Sequence, residues 1–267
     1  ADTPAFRKGN LAPRARRELA GPDAEETADV ERPTTAAAAL GRLAADFLGQ
    51  ARDVVVEHEE ELGRLDAVAG DGDHGIGMRR GVDAAVAAAE QAASNDGGAS
   101  PSRVLTAAGE AWSERAGGTS GALWGSAIIA AGQALGNQDS YSGEDAAAAV
   151  TAFVDAITAL GKAEPGDKTM VDALLPFQDA FLTAFDAGTP VAGSLAAAAA
   201  AATAAAERTA GLRPLKGRAR PLAEKSLGHP DPGAVSFALI ATRISTHTTD
   251  TGSRPGTPEP AEQGAQA

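Results

Sequence analysis

The sequence predicts an all-α fold, and three observations carry that prediction. Aromatic residues make up only 4% of the 267 residues, and runs of β-branched residues at strand spacing are almost absent. Apolar residues instead recur at i, i+3, i+4 and i+7, beginning with Leu40, Leu43, Phe47, Ala51, Val54 and Leu62. Glycine- and proline-rich stretches then divide the chain into eight such segments. An alanine-rich composition suits helices that approach one another closely.

Residues 1–33 mix Pro, Gly, Arg and acidic residues without periodicity and read as a disordered linker. A first helix runs from Thr34 to an aspartate-rich loop, and a second spans about His74 to Ala93, ended by Ser94-Asn-Asp-Gly-Gly98. Ser100-Pro101 opens a third, with Pro at the favoured first position, continuing to about Ala116. Gly117-Gly-Thr-Ser-Gly121 precedes a fourth helix carrying Leu123, Trp124, Ile128 and Ile129. A fifth spans about Gly143 to Leu160, and a sixth carries Met170, Leu174, Phe177 and Phe181. The alanine run Ser194–Ala206 forms the seventh on propensity alone. After a basic, proline-containing loop at 211–230, an eighth helix ends near His247; residues 248–267 read as a disordered tail. The helical domain is therefore expected at 34–247.

Up-and-down packing of such helices puts every second connection at one end. Those connections are Asp66–His74, Gly117–Gly121, Gly161–Lys168 and Arg213–Gly233, the four chemically unusual loops of the chain. In the first, Asp66, Asp71 and Asp73 fall within eight residues, interleaved with Gly70, Gly72 and Gly75. Carboxylates this close repel unless a cation sits among them, and hard oxygen donors favour Mg²⁺, which in proteins usually also carries a phosphate. Gly70-Asp-Gly-Asp-His-Gly75 fits G-x-G-x-x-G, but no strand precedes it. The EF-hand pattern fails as well, because Gly75 and Ile76 occupy its fifth and sixth positions. A solvated acidic turn is the competing explanation, and the convergence of four loaded loops weighs against it.

The other loops supply matching chemistry. Thr119 and Ser120 open a helix, where backbone N–H groups and hydroxyls cradle phosphate or simply cap the helix. Asp167 reads as a helix cap, and Met170 as core or as a wall for a base. Lys216, Arg218, Arg220 and Lys225 bring positive charge to an otherwise acidic chain, and His229-Pro-Asp-Pro-Gly233 is a rigid turn. His74 is placed to donate to a phosphate oxygen. No Ser/His/Asp set and no cysteine is present, so positioning and charge neutralisation are the implied catalytic strategy.

Composition narrows the function classes. A net charge of -13 without a basic stripe excludes nucleic acid as the expected partner, and no apolar run spans a membrane. The start has no signal-peptide core, so cytoplasm is the default location; the missing initiator Met reads as a processed chain or a fragment.

Leu65-Asp-Ala-Val-Ala-Gly-Asp-Gly-Asp-His-Gly75, Gly117-Gly-Thr-Ser-Gly121, Gly166-Asp-Lys-Thr-Met-Val-Asp-Ala-Leu174 and Ser226-Leu-Gly-His-Pro-Asp-Pro-Gly-Ala234 closely resemble the nucleotide-binding L (DhaL/DAK2) domain of dihydroxyacetone kinases. The resemblance covers about Thr34 to His247. It implies a barrel of eight antiparallel up-and-down helices with the nucleotide at one end. It also implies that Asp66, Asp71 and Asp73 hold two Mg²⁺ ions. ATP or ADP is then lined by His74, Gly75, Ile76, Gly77, Thr119, Ser120, Gly161, Met170, Arg218, Asp231, Pro232 and Gly233. Two stretches depart from the family pattern: Gly217-Arg-Ala-Arg-Pro-Leu-Ala-Glu-Lys-Ser226, and Gly77 in place of Asn or Thr.

The family holds its sugar in a separate K domain or subunit, which no region here resembles as a whole. Asp2-Thr-Pro-Ala-Phe6 resembles the tail by which fused kinases leave that domain. The leading expectation is thus an ATP-using dihydroxyacetone or short-ketose kinase, with this chain presenting MgATP to a K partner. The alternatives are an ADP-carrying L subunit recharged by a phosphotransferase-system protein, and a non-catalytic regulatory module. Homodimerisation is left open by the resemblance.

Overall fold

The computed structural model describes residues 32–94, 97–217 and 219–252. Among them the long helices are α1 (Thr35–Ala67), α2 (His74–Ala93), α3 (Pro101–Ala116), α4 (Gly118–Leu135), α5 (Gly143–Gly161), α6 (Val171–Asp186), α7 (Val191–Arg208) and α9 (Pro232–Gly252). A short helix, α8 (Ala223–Ser226), and two 3₁₀ turns at Thr209–Gly211 and Arg220–Leu222 lie between α7 and α9. No strand occurs among the described residues, as the all-α reading expects.

Local chemistry sets most boundaries. Thr34 Oγ1 accepts the Ala37 N–H at 3.0 Å, and Ser100 Oγ accepts the Arg103 N–H at 3.3 Å just before Pro101. Ser142 and Asp145 form a capping box at the start of α5. Three expectations need correction. The 211–230 segment is not a plain loop, because α8 and the second 3₁₀ turn interrupt it. The Gly117–Gly121 connection is shorter than expected, because α4 already begins at Gly118, with Thr119 and Ser120 opening it as read. The last helix runs past His247 to Gly252, its threonines returning hydroxyl bonds to the preceding turn, as Thr248 Oγ1 does to the Ile244 carbonyl at 2.8 Å. Most of the expected linker and tail, at 1–31 and 253–267, lies outside the described residues.

Each long helix packs on the next in sequence, and α9 packs back on α7 and α1, closing a cycle of neighbours. The connections from α1 to α7 are short, so helices consecutive there run antiparallel. Small residues permit the closest crossings. A Cβ on Gly125 of α4 would overlap the Gly109 carbonyl oxygen and Ser113 Oγ of α3, and one on Gly75 of α2 would overlap the Glu59 carbonyl oxygen of α1. Buried Ala198, Ala199, Ala202 and Ala206 serve α7 in the same way. The few aromatics are spent in the middle: Trp112 stacks on Trp124 with centroids 5.3 Å apart, and Phe237 meets Trp124, Phe153 and Phe177 at 6.2, 6.4 and 5.3 Å. That cluster ties α3, α4, α5, α6 and α9 together.

Two glycine substitutions should therefore act in opposite directions. Gly125→Ala forces the α3–α4 crossing apart and should cost about 1–3 kcal/mol. Gly49 lies inside α1 with open space where its Cβ would be, so Gly49→Ala should gain about 0.5–1 kcal/mol. Urea denaturation of both variants checks the pair.

Candidate functional site

Four connections open onto one cavity of about 620 Å³. These are 66–74, 117–121, 161–170 and 216–233, the four that the alternation of loops placed together. The N-terminal turns of α2, α4, α6 and α9 all contribute to its wall. Helix starts leave backbone N–H groups without intrahelical acceptors and carry partial positive charge, so this end is suited to anions.

The aspartate loop is wound around Asp66, in the last turn of α1. Its backbone oxygen accepts the Gly70 N–H at 2.6 Å, and its Oδ2 accepts the Asp73 N–H at 3.0 Å. A Cβ on Gly70 would overlap Asp66 Oδ1, and Gly72 sits at φ +77°, so glycine is required at both positions. The result brings one carboxylate oxygen each from Asp66, Asp71 and Asp73 within 4.8 Å of one another. Asp71 and Asp73 are exposed, and Asp66 is half-buried. Oxygen-only donors at this spacing fit a hard divalent cation.

Next to them, His74 Nε2 hydrogen-bonds Ser236 Oγ at 3.0 Å. Burial lowers the His74 pKa, against the pull of the Asp66 charge and of a hydrogen bond to the Pro232 backbone. The imidazole is thus anchored on Ser236, near the start of α9. Ile76 and Gly77 line the cavity, whereas Gly75 does not; Gly75 is buried where α2 crosses α1. Across the opening, Gly117 and Gly118 take φ values of +68° and +62°, turning the chain into α4 and leaving Thr119 and Ser120 exposed on the cavity wall.

The third and fourth loops are built by their own side chains. Asp167 does not cap α6: its Oδ2 accepts the Glu164 N–H at 2.9 Å. Asp172 takes the organising role, its two oxygens accepting from Gly166 at 2.6 Å and Thr169 at 2.8 Å. Gly161 and the buried Met170 line the cavity, as do Asp231, Pro232 and Gly233. Asp231 caps α9 through Oδ1 and the Ala234 N–H at 2.8 Å, and its own N–H donates to Thr209 Oγ1 at 2.7 Å. Of the basic residues, Lys216 reaches the cavity wall, while Arg220 and Lys225 are exposed elsewhere; Arg218 lies outside the described residues.

Sequence reasoning missed Ser236, Asp172 and Lys168. Lys168 is 4% exposed and left-handed at φ +59°, and its Nζ donates to the Leu212 and Ser226 carbonyls at 3.2 and 2.7 Å. Ser236 and Lys168 carry no local signal, because their partners lie far away in sequence; Asp172, three and six residues from its partners, was readable only as an acidic residue at a helix start.

The Asp231 carboxyl is pushed up to about 7, chiefly by burial and further by the Asp172 charge, while Lys168 and the α9 amides oppose the rise. An unfolded Asp releases its proton near pH 4 and the native one near 7, so the native state binds more protons between these values. Stability should therefore fall as pH rises from about 4 to about 7 and then level off. Asp231→Asn, which keeps a capping oxygen, should flatten that slope, as urea midpoints measured across the range would reveal.

Comparison with known proteins adds five findings. A family model described as the DAK2 domain matches residues 68–246. The L-erythrulose kinase of Pectobacterium atrosepticum is 45% identical over 250 residues, covering 92% of this chain and 41% of that protein. The ADP-binding subunit DhaL of the PEP-dependent dihydroxyacetone kinase of Escherichia coli is 35% identical, covering 73% of this chain and 91% of that subunit. Among solved structures, the dihydroxyacetone kinase of C. freundii superposes in its native form with a TM-score of 0.60 at 26% identity, over 89% of this chain and 39% of that one. Its complex with AMP-PNP and Mg²⁺ gives 0.56 at 25%, over 87% and 38%. The chain thus spans about two fifths of the length of the erythrulose kinase it matches.

Proposed function

The chain belongs to the DAK2 domain family, and from that premise we propose that it is the MgATP-binding, phosphoryl-donating part of a short-ketose kinase. The observation that carries the reading is the meeting of the Asp66–Asp71–Asp73 trio with the N-terminal turns of four helices around one cavity. An erythrulose is the substrate class best supported, since the erythrulose kinase stands at 45% identity and the dihydroxyacetone kinase subunit at 35%. The sugar would be held by a separate K domain or subunit. The domain boundaries proposed are 34–247, following the N-cap at Thr34 and the extent of the family match.

In this reading Asp66, Asp71 and Asp73 hold magnesium, two ions by family resemblance. Bound there, magnesium neutralises charge that develops on the transferring phosphoryl group. The first-turn amides of α4, with the Thr119 and Ser120 hydroxyls, donate to phosphate oxygens. His74, through its hold on Ser236, keeps the start of α2 against the start of α9. Ile76, Gly77 and Gly161 wall the nucleotide, and Lys216 and Arg218 offset its charge. Met170 and the Asp231–Gly233 turn form the side where a purine would pack. None of these residues acts as nucleophile or base; the chain contributes orientation and electrostatics.

The PEP-dependent alternative is favoured by one observation, the match over 91% of the E. coli subunit. Nucleotide exchange separates the two readings: bound ADP that ATP does not displace belongs to the PEP-dependent type. Asp71→Ala should abolish magnesium-dependent ATP binding and leave helicity intact, since Asp71 is exposed and outside every helix. Calorimetric titration with MgATP, beside a circular dichroism spectrum, is the check; unchanged affinity would count against the metal assignment.

A further inference from the structure

A buried lysine on the cavity wall is used by nothing in this reading. Lys168 leaves only 4% of its surface exposed, and a charge so withdrawn from water requires compensation. Its ammonium finds it in two backbone oxygens, Leu212 at 3.2 Å and Ser226 at 2.7 Å, and in the nearby negative charge of Asp231. Burial lowers the Lys168 pKa and the Asp231 charge acts against that. The two carbonyls belong to residues 212 and 226, at opposite ends of the segment that carries Lys216 to the cavity. Two backbone bonds reinforce the same junction: Leu215 N–H donates to the Asp167 carbonyl at 3.0 Å, and Gly228 N–H to the Ala210 carbonyl at 2.9 Å. Excursions of the chain over a dozen residues are ordered only if their ends are held, because closure entropy must be offset.

We infer that Lys168 is a positioning residue: its ammonium draws the chain at 212 and at 226 together as the neck of a loop, and so fixes Lys216 and the 229–233 turn against the nucleotide cavity. The inference rests on the nucleotide reading for its purpose, but the neck itself stands on the hydrogen bonds alone. A lysine suits this task because its three N–H groups radiate from one centre and can serve several carbonyls at once. Methionine matches its length and keeps its apolar stem, without a donor. The aspartate trio lies in another loop and keeps its own hydrogen bonds without Lys168.

Lys168→Met and Lys168→Arg in the full 267-residue chain provide the test, read by amide hydrogen exchange and by MgATP titration. Leu215 and Gly228 are the reporter amides, since Gly228 is bonded across the neck to Ala210 and Leu215 to Asp167, the residue before Lys168. In the methionine variant their exchange should speed roughly tenfold or more, with the amides of α1 to α3 unchanged, and MgATP affinity should fall roughly tenfold to a hundredfold. Arginine, which restores charged donors, should recover part of both losses. Native exchange at the two reporters in the methionine variant overturns the proposal. So does faster exchange with unaltered MgATP affinity, which would leave a neck that positions nothing. Faster exchange throughout α1 to α3 would mark a packing defect and also overturn it, and a methionine variant that fails to fold passes the decision to Lys168→Gln, read in the same way. If the native chain itself binds no MgATP, the proposed function fails, and the exchange arm still decides the neck.

Discussion

The repulsion among three carboxylates held at the end of one helix is the constraint on which the site depends. Asp66, Asp71 and Asp73 place an oxygen each within 4.8 Å, an arrangement that a free peptide would open at once. Here it persists because the chain between them is bound to Asp66 itself, by Gly70 and Asp73 amides at 2.6 and 3.0 Å. That winding in turn needs Gly70, where any side chain would overlap the carboxylate, and Gly72 in the left-handed region. The acidic trio is thus a product of hydrogen bonds and sterics in a loop of six residues, 68–73, between two long helices.

The rest of the molecule fixes where that loop looks. Short connections make α1 to α7 alternate in direction, and the starts of α2, α4, α6 and α9 all reach the cavity at the end where α1 delivers Asp66. Helix starts suited to anions and carboxylates suited to cations then face one space, the electrostatic setting on which the proposed metal–nucleotide site rests. Close crossings such as Gly109 on Gly125 keep the helices near enough for the four loops to meet.

Much of this was legible in the sequence, and the reason differs from element to element. The starts of α2 and α3 were readable because a glycine-rich turn and a Ser-Pro pair mark them chemically. The parity of the loops required only a count of helices, so the meeting of the four loops was readable too. The end of α9 was not: its threonine-rich last turns look like a tail, yet Thr248 and Thr249 hydroxyls bond back to the preceding turn within the helix. α8 was hidden among proline and basic residues whose local preferences favour a loop. Ser236 and Lys168 act on partners 162, 44 and 58 residues away, and no local pattern announces such bonds. Gly75 packs where α2 crosses α1, a role that a motif read as a turn does not announce.

The most direct measurement is an anomalous difference map from crystals of this chain grown with Mn²⁺ and a non-hydrolysable ATP analogue. The account predicts manganese peaks directly coordinated by Asp66, Asp71 and Asp73, with phosphates over the Thr119–Ser120 turn and the base beside Met170. Manganese bound elsewhere, or nucleotide seated away from that cavity with the three carboxylates turned to solvent, would contradict it.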